Sequence, residues 1–564
     1  RVGQYQGQNV FYVREHGQWV GIPWDRFDQE AHEFGYALIA KGLTKGTAVC
    51  ILMGTAAEWP ISDLGTILAG GVSVGLYPTS SAEQCQYIIN HSDAEFVLVD
   101  TPAQLDKILQ VGHALPKVKE VIVLDETAAH KGTVRKSGEA LALVSYREFL
   151  DVGRQHRAWA HPILQERAET AQPEDIAIMV YTSGTTGLPK GACLSHRYVI
   201  NSVESLQDAI PIHDSDISFS YLPYCHVAER ISGLYNRLYA GAPAYFVDDL
   251  SKLWDYMLDV KPTVFGSLPR FFEKIHARIT ADLEQAPPDE RERFYQALSV
   301  GREISRRRQA KQPIPEELKQ EYEQEAQPVL GKVKEYFGGN IRITTSGGAP
   351  LPLEVAEFFD AAGLPILQAY GLTENVCVAF NRPDHYKFGT VGPPMLECAI
   401  KIAEDGEILV RSQMMFSGYY KDLEKTAEVF RNGWLLTGDL GELDEDGFLK
   451  ITGRKKELII TSTGKNIAPM LIETALKDHP LISQAMAYGD GKSYLVALIT
   501  LNQSETETYA RAHGLSGGDF AELTRHPDIV GLVQTVVDEV NARVSSTEAI
   551  KRFVILDHDL SIEA

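Results

Sequence analysis

The sequence predicts an α/β protein in which a large, multi-layer N-terminal domain with mostly parallel sheets precedes a small α+β domain. Three observations support this prediction. The 564 residues exceed what one ordinary hydrophobic core organises. In the first half of the chain, short apolar runs alternate with segments of helical periodicity, which is the pattern of parallel sheets covered by helices. Beyond Thr437, the pattern changes to short strands separated by turns.

Apolar runs bounded by turn residues predict the strands of the large domain. They lie at residues 48–53, 95–100, 118–124, 176–181, 217–222, 243–247, 263–265, 341–345 and 366–370. Segments with helical periodicity, at 81–90 and 102–112, lie between the early strands. Because ligands of such sheets bind outside the carboxyl ends of the strands, we expect a binding site in the loops that follow them.

A charged, helix-forming stretch from about residue 270 to 336 predicts a helical insertion, with proline-marked breaks at 287–288 and 313–315. This insertion carries a basic cluster made of Arg302, Arg306, Arg307, Arg308 and Lys311. Such a cluster can face an anionic membrane surface or a ligand phosphate. A solvated helix face is the more common origin, and we favour it.

The boundary between the two domains is predicted near residue 452, so that they span 1–452 and 453–564. Beyond Thr437 we expect strands at 448–451, 458–461, 494–499 and 552–556, together with two helices. The segment 452–456 reads as a turn and is the expected hinge.

Composition excludes several classes of protein. A net charge of −22 argues against nucleic acid as a principal partner, because affinity for a duplex depends on basic residues that neutralise phosphates. The six cysteines are dispersed without a Cys-x-x-Cys pair, which predicts reduced thiols in a cytoplasmic protein. No apolar run reaches the length of a membrane span. The chain begins at Arg1, so the sequence does not show whether a targeting segment precedes it.

A loop rich in glycine and hydroxyl residues follows the predicted strand at 176–181. Glycine permits the positive-φ backbone that turns successive N–H groups toward one point, and such a nest binds phosphate oxygens. The candidate residues are Thr182, Ser183, Gly184, Thr185, Thr186, Gly187 and Lys190. This is not the common nucleotide loop, because a proline lies between the last glycine and the lysine. A surface turn of small residues is the alternative.

Over residues 182–191 this loop resembles the phosphate loop of the adenylate-forming enzymes, the AMP-binding superfamily of acyl-CoA synthetases, luciferases and peptide-synthetase adenylation domains. Four further segments resemble the same superfamily, in the same order, at 346–351, 368–374, 434–439 and 453–456. The resemblance covers nearly the whole chain. It implies the adenylate-forming fold, ATP as a co-substrate and Mg²⁺ as a cofactor.

The resemblance also implies which residues contact the nucleotide. Beyond the loop, they are Gly347, Gly348, Ala349, Gln368, Ala369, Tyr370, Gly371, Asp439 and Arg454. The first three would lie against adenine, and Tyr370 would stack on it. Asp439 would accept both ribose hydroxyls, and Arg454 would reach ribose or phosphate. Taken singly, Asp439 reads equally well as a turn residue and Arg454 as part of a structural ion pair.

Two residues of the segment 368–374 are implied in catalysis beside Lys190. Thr373 would contact the α-phosphate, and Glu374 would hold Mg²⁺ together with Thr182. Mg²⁺ prefers hard oxygen ligands and usually takes few carboxylates plus phosphate and water, so one glutamate is sufficient. Without the resemblance, Glu374 reads equally well as a surface carboxylate.

The implied reaction joins a carboxylic acid to a thiol. A thiol cannot displace the oxygen of a carboxylate, but attack of that carboxylate on the α-phosphate of ATP makes AMP a good leaving group. Charge then builds on phosphoryl oxygens and on departing pyrophosphate, so the protein contributes positioning and electrostatics rather than a covalent nucleophile.

The segment 221–230 indicates which acid is activated. It contains Leu222-Pro223 and His226, followed by Glu229-Arg230, and it resembles long-chain acyl-CoA synthetases of the bubblegum-like and bacterial groups. There, the histidine lies near the reacting carboxylate, which makes His226 a catalytic candidate. A packed histidine is the alternative. A long-chain substrate would also bring peripheral contact with membranes.

The resemblance therefore implies a long-chain fatty acid–CoA ligase that uses ATP, Mg²⁺ and CoA. Two alternatives stay open: a fatty acyl-AMP ligase that delivers to a carrier protein, and an inactive homologue that binds fatty acids. The oligomeric state is not readable from the sequence.

The small domain departs from the superfamily pattern at one point. Lys456 matches the pivot position, and Gly464 and Lys465 match the loop that meets CoA. A lysine near the end of the domain completes adenylation in the superfamily. The given sequence stops at Ala564 without a match, since Lys551 lies in the segment upstream of that position. We expect the domain to be incomplete at its end.

Overall fold

A computed structural model describes residues 1–125, 141–182, 188–462, 465–515 and 519–559. Its strands are β1 (Asn9–Glu15), β2 (Gln18–Pro23), β3 (Ala48–Leu52), β4 (Val72–Leu76), β5 (Phe96–Val99), β6 (Glu120–Val123), β7 (Ala142–Ser145), β8 (Ile176–Thr182), β9 (Lys190–Ser195), β10 (Ser218–Ser220), β11 (Ala244–Phe246), β12 (Val264–Ser267), β13 (Ile343–Ser346), β14 (Ile366–Leu372), β15 (Asn375–Phe380), β16 (Cys398–Ile402), β17 (Glu407–Ser412), β18 (Gly418–Tyr419), β19 (Phe430–Arg431), β20 (Trp434–Leu443), β21 (Leu449–Arg454), β22 (Ile459–Ile460), β23 (Asn466–Ile467), β24 (Ile482–Tyr488), β25 (Leu495–Leu501) and β26 (Ile550–Ile555).

The α-helices alternate with these strands through most of the chain. They are α1 (Trp24–Ala40), α2 (Glu58–Leu68), α3 (Ala82–His91), α4 (Pro102–Val111), α5 (Tyr146–Glu169), α6 (His196–Ala209), α7 (Asn236–Ala240), α8 (Leu253–Val260), α9 (Pro269–Gln285), α10 (Pro288–Gln309), α11 (Glu316–Glu321), α12 (Gln327–Leu330), α13 (Lys332–Glu335), α14 (Leu353–Ala361), α15 (Leu423–Val429), α16 (Pro469–Lys477), α17 (Gln503–Ala512), α18 (Phe520–Leu523) and α19 (Pro527–Asn541). A π-helix spans Ala228–Tyr235.

The main sheet has eight strands in the order β18-β9-β8-β4-β3-β5-β6-β7. Its pairs are parallel from β8 to β7, whereas β9 and β18 run antiparallel to their neighbours. Strands β3, β4, β5 and β6 are buried along their whole length, because helices cover both faces of the sheet. The carboxyl ends of β4 and β8 consequently lie at the same edge.

Two other sheets of the large domain are mainly parallel, with the orders β10-β11-β1-β2 and β12-β13-β14-β15. A fourth, antiparallel sheet has the order β16-β17-β20-β19, with β21 paired to β20. After β21, the small sheets β22-β23 and β24-β25-β26 enclose a separate hydrophobic cluster. The predicted fold class, mostly parallel sheets followed by a small α+β unit, is confirmed.

Each strand predicted in the large domain forms within two residues of its expected ends. Two details of the later part were wrong. Two helices were expected in the small domain, but four form, α16 to α19, of which α18 is a single turn without a readable period. The segment 452–456 was expected to be a turn, but its first three residues continue β21, since Arg454 pairs with Asp439 on β20. The helical turn begins only at Lys455.

The basic cluster of the insertion is mostly paired with acidic residues of this chain. Arg306 and Arg307 of α10 both contact Glu303, Arg308 contacts Asp360, and Lys311 contacts Asp446. These pairs, in which most of the basic side chains are largely exposed, are consistent with the favoured interpretation of a solvated helix face. Among the described residues, every helix is too short or too polar to cross a membrane.

Helices α1 and α5 pack closely because a glycine lies at their contact. A Cβ atom on Gly153 of α5 would lie only 1.9 Å from the carbonyl oxygen of Glu33 on α1. The helix is started by a capping box, in which Ser145 and Glu148 exchange hydrogen bonds with backbone N–H groups. The backbone of α5 therefore has a defined start and no room for a side chain at position 153.

The substitution Gly153→Ala is expected to destabilise the large domain by about 1–3 kcal/mol, because the added methyl group forces α1 and α5 apart. The same substitution at the exposed Gly531 of α19, where no atom lies within 4 Å of an added Cβ, is expected to stabilise its helix by about 0.5–1 kcal/mol. Denaturant unfolding of both variants measures the difference. Equal effects would contradict this account of the α1–α5 contact.

Candidate active site

Lys190 and Thr182 lie side by side at the carboxyl end of β8. Lys190 begins β9 and pairs with Thr182, the last residue of β8. The hydroxyl of Tyr87 on α3 donates to the carbonyl of Pro189 at 3.1 Å, which fixes the chain just before the lysine. The intervening candidates Ser183, Gly184, Thr185, Thr186 and Gly187 lie outside the described residues.

Lys190 and Glu374 meet at Tyr419. The ammonium nitrogen of Lys190 lies 4.9 Å from the centre of the Tyr419 ring. The hydroxyl of the same tyrosine donates to Oε1 of Glu374. Burial, reinforced by the charge of Glu374, raises the pKa of Tyr419 far above its ordinary value, so this hydroxyl stays a donor. A cation and a carboxylate from separate segments are thereby held around one ring.

The turn that carries Thr373 and Glu374 joins β14 to β15 and is held by Tyr198 of α6. The hydroxyl of Tyr198, a fully buried residue, donates to the carbonyl of Thr373 and accepts from the N–H of Val376, each at 3.0 Å. Gly371 is required just before this turn, because a Cβ there would lie 1.9 Å from the carbonyl oxygen of Val376. The local backbone therefore has little freedom.

A second polar group joins Tyr370, Asp439 and Arg454. The Tyr370 hydroxyl donates to Oδ2 of Asp439 at 2.6 Å, and Nε of Arg454 lies 3.2 Å from Oδ1. Burial raises the pKa of Asp439, and the two partners offset only part of that effect. Arg454 itself is exposed. The ion pair considered for Arg454 is thus present in this structure, and it includes the residue expected to bind ribose.

The glycine turn after β13 lies against β14. Gly348 has a φ of +80°, a conformation that side chains other than glycine rarely adopt. A Cβ on Gly347 would lie 3.5 Å from the carbonyl oxygen of Ala369. Gln368 binds the backbone N–H of Leu351 at 3.3 Å, which closes the turn, and the exposed Ala349 lies within it. The predicted adenine-side residues are therefore neighbours.

His226 lies at the same edge of the main sheet as Thr182. The preceding Cys225 packs on Gly75 at the end of β4, and Gly75 pairs with Val180 of β8. Nδ1 of His226 accepts from the N–H of Ala228 at 3.1 Å, and loss of solvation lowers the pKa of the ring. The structure shows no hydrogen bond or ion pair between His226 and either Lys190 or Glu374.

Two buried ion pairs hold the π-helix that follows His226. Arg230 binds Asp63, with both side chains inaccessible to solvent, and Tyr235 donates to the other carboxylate oxygen at 2.6 Å. Arg237 binds Glu229 at 2.5 Å. π-Helical turns of this kind often occur at functional sites. The burial of Glu229 and Arg230 was not predicted from the sequence, where the two residues stood out only as part of a motif.

The described small-domain candidates, Lys456 and Lys465, have other surroundings. Nζ of Lys465 donates to the hydroxyls of Ser545 and Thr547, each at 2.7 Å, and Gly464 lies outside the described residues. Lys456 is exposed in a helical turn. Its neighbour Lys455, which the sequence analysis missed, binds Asp405 at 2.6 Å and Glu407 at 2.8 Å.

Comparison with known proteins decides the family. The family model described as "AMP-binding enzyme" matches residues 1–420, and the model described as "AMP-binding enzyme C-terminal domain" matches residues 456–561. This chain belongs to the AMP-binding enzymes. Curated relatives of this AMP-binding enzyme include the long-chain-fatty-acid–CoA ligase FadD15 of Mycobacterium tuberculosis, 32% identical over 97% of this chain and 88% of the relative. Another is the long-chain-fatty-acid–CoA ligase ACSBG2 of Homo sapiens, which is 31% identical over 97% of this chain and 84% of the relative.

Solved structures show the same fold. An anthranilate CoA ligase, AuaEII, in complex with anthranoyl-AMP superposes on this AMP-binding enzyme with a TM-score of 0.72 at 18% identity, covering 98% of this chain and 91% of the other. ATP-bound MatB from Rhodopseudomonas palustris gives a TM-score of 0.67 at 22% identity, covering 99% and 94%. At these identities the likeness concerns the fold alone.

The residues around Tyr419 fit a magnesium ion that is shared with phosphates. Glu374 offers a partly exposed carboxylate, and Thr182 a hydroxyl oxygen beside Lys190. In the described part of this AMP-binding enzyme, no group of three or more His, Cys, Asp or Glu side chains could hold a metal alone. Mg²⁺ tolerates one protein carboxylate when phosphate and water complete its shell.

Tyr419 is the site residue that the sequence analysis missed. Its position follows from the pairing of β18 with β9, which places Tyr419 opposite Ala192. The signal in the sequence is weak: a glycine followed by two tyrosines in a loop of small and aromatic residues. Such a run does not predict which distant strand it will pair with.

One cavity in the described part of the chain lies away from these residues. It has a volume of about 440 Å³ and opens near Lys45, Arg167 and Asp175, at the edge of the main sheet opposite to Thr182. Lys45 and Asp175 form an ion pair at 2.7 Å, and Arg167 donates to two backbone carbonyls. The polar groups at its mouth therefore already have protein partners.

We expect Asp439→Asn to stabilise the protein at neutral pH. Burial raises the pKa of Asp439, so the ionised carboxylate is less favourable in the folded protein than in the unfolded chain. That cost is fully present above the folded pKa, shrinks as pH falls, and disappears below the ordinary aspartate value of about 3.9. Thermal unfolding of variant and wild type across this pH range measures the effect.

Asp405→Asn is the matched control. The bond from Lys455 lowers the pKa of Asp405, so its removal should give no stabilisation at neutral pH. A gain for Asp439→Asn that persists unchanged to acid pH would contradict the assignment of the effect to its buried charge.

Proposed function

We propose that this protein is a long-chain fatty acid–CoA ligase, which uses ATP to activate the acid and then transfers the acyl group to CoA. One observation carries the proposal: Lys190 and Glu374, from separate segments, converge on Tyr419 at the carboxyl end of β8. A cation beside an oxygen-rich carboxylate site is what binding of a metal–triphosphate needs. The names of the curated relatives supply the substrate class.

In the first step, a carboxylate oxygen of the acid attacks the α-phosphorus of ATP. The bond from that phosphorus to pyrophosphate breaks, and acyl-AMP forms. Lys190 and Thr373 would stabilise the negative charge that builds on the phosphoryl oxygens. Magnesium, when bound through Glu374 and Thr182, would neutralise phosphate charge. Asp439 and Arg454 would hold the ribose, and Tyr370 with the Gly347–Gly348 turn would hold adenine.

In the second step, the CoA thiol gives up its proton to solvent and its sulfur forms a bond to the acyl carbonyl carbon. The bond from that carbon to the oxygen of AMP breaks, which releases AMP and the acyl-CoA thioester. His226 would border the reacting carboxylate, with its lowered pKa favouring the neutral ring.

We also propose the division into domains 1–452 and 453–564, with Lys456 as the pivot and the loop of Gly464 and Lys465 on the CoA side. The match of the C-terminal family model to residues 456–561 supports this division.

The test is incubation of the protein with ATP, Mg²⁺, CoA and a panel of acids, from acetate through long-chain fatty acids to benzoates, with products identified by mass. Long-chain acyl-CoA is the expected product. Acyl-AMP without thioester would favour a ligase that delivers to a carrier protein. Binding of fatty acid without any ATP-dependent product would favour an inactive homologue.

Chain-length preference should follow the burial of methylene groups. Each buried methylene contributes about 0.8 kcal/mol, so four additional carbons should improve kcat/KM by up to about 200-fold while the chain still fits. A series of saturated acids, assayed separately, measures this slope. A flat response from medium to long chains would contradict burial of the acyl chain in this protein.

Glu374→Gln is expected to lower the rate of acyl-AMP formation by about 100-fold or more, because it removes the charged oxygen ligand at the site of developing phosphate charge. The exposed Glu445, in the turn between β20 and β21, provides a matched control, and Glu445→Gln should leave the rate unchanged. Pyrophosphate release measures both. An unimpaired Glu374→Gln variant would contradict the role proposed for this carboxylate.

A further inference from the structure

Tyr419 makes two different contacts with the proposed ATP site, one through its hydroxyl and one through its ring. The hydroxyl donates to Oε1 of Glu374, and the ring lies 4.9 Å from the ammonium of Lys190. The side chain is buried, with 8% of the residue exposed, so the tyrosine side of both contacts is shielded from water, while Glu374 and Lys190 are partly exposed. Hydrogen bonds to charged groups and cation–π contacts are stronger in such places.

The backbone around Tyr419 is fixed independently of these contacts. Tyr419 pairs with Ala192 of β9, and its N–H donates to the hydroxyl of Thr426 at 2.8 Å. Three residues earlier, the N–H of Phe416 donates to the carbonyl of Glu374 at 2.8 Å, and its ring meets that of Tyr419 edge-on at 4.9 Å. The segment 416–419 is thus a strap that ties the Glu374 turn to the strand of Lys190.

We propose that Tyr419 is a positioning residue, whose hydroxyl orients the metal-binding carboxylate of Glu374 and whose ring holds the ammonium of Lys190, so that the two charges keep a fixed separation for a metal–triphosphate. This inference rests on the proposed function. A long lysine side chain has many rotamers, and an aromatic face reduces the number that must be lost when phosphate binds.

Removal of the hydroxyl and removal of the ring should have different effects on ATP binding. Loss of the hydroxyl should weaken the contribution of magnesium to ATP binding, because Glu374 is then free to turn away. Loss of the ring should additionally weaken ATP binding without metal, because Lys190 is then no longer held near the phosphates. A residue that only fills space would change the stability of the fold and leave the metal dependence of binding as it was.

The experiment is calorimetric titration of the intact protein with ATP, once with Mg²⁺ and once with a chelator. Tyr419→Phe keeps the ring and should reduce the magnesium-dependent gain in affinity by about tenfold, the value of one charge-assisted hydrogen bond. Its affinity for metal-free ATP should stay unchanged. Tyr419→Leu should reduce both the magnesium-dependent gain and the affinity for metal-free ATP. Thermal unfolding shows whether each variant is folded, and the Phe variant suffices if the Leu variant is not.

Tyr420→Phe is the matched control. Its hydroxyl also donates to a carboxylate, Oδ2 of Asp93 at 2.9 Å, but Asp93 is bound by two lysines of the surface. This variant should keep the wild-type magnesium-dependent gain. In a Glu374→Gln background, Tyr419→Phe should have no further effect on that gain, because the tyrosine acts through Glu374.

Outcomes for the inference and for the proposed function are distinguishable. If wild type shows a magnesium-dependent gain and Tyr419→Phe shows the same gain, the inference is overturned and the proposed function stands. A further loss from Tyr419→Phe in the Glu374→Gln background would also overturn the route through Glu374. Wild-type protein that binds no ATP with magnesium would overturn both.

Discussion

Gly418 and Tyr419 pair with Cys193 and Ala192 through one short antiparallel ladder, and the geometry of the site depends on it. The charged groups come from places far apart in the chain, on β9 and after β14. This pairing, continued by the bond from Phe416 to Glu374, brings the turn after β14 against the strand that begins with Lys190, and Tyr198 of α6 holds the same turn. Gly418 has a φ of +122°, and a side chain there would strike Thr426, so glycine is what allows the strap to enter the sheet.

The second constraint is the pair of buried ion pairs behind His226. Burying four charges costs desolvation energy that the pairing only partly returns, and removing one partner of such a pair typically costs about 3–5 kcal/mol. The arrangement of these ion pairs is therefore weak evidence for a contribution to stability. Its effect is geometric: Asp63 on α2 and Glu229 within the π-helix fix the turn that presents His226 at the sheet edge.

Short sequence patterns predicted the features that depend only on neighbouring residues. Strands such as β3 and β5 follow from apolar runs, and Glu374 and Asp439 were candidates because they stand in recognisable strings of residues. Tyr419 was missed because its role depends on which distant strand β18 joins, and a two-residue strand has no periodicity. The partnership of Tyr370 with Asp439 was missed for the same reason, since 69 positions separate them. The segment 452–456 was expected to be a turn because charge and glycine dominate it, whereas pairing with β20 draws its first half into the sheet.

Polar groups expected to bind the nucleotide are already paired with one another in this structure. Asp439 accepts from Tyr370 and Arg454, so ribose hydroxyls would have to share or replace those donors. Asp439 can accept hydrogen bonds from the ribose hydroxyls without losing its present donors, because a carboxylate has about four acceptor positions and only two are engaged here. Breaking the ion pair of the exposed Arg454 costs less free energy than breaking the bond of Tyr370, since water can solvate the released guanidinium. Tyr370 is held within the fold, so its bond could persist if its ring faced adenine as proposed. Nucleotide binding would then exchange one ion pair for ribose contacts and leave the carboxylate where the fold holds it.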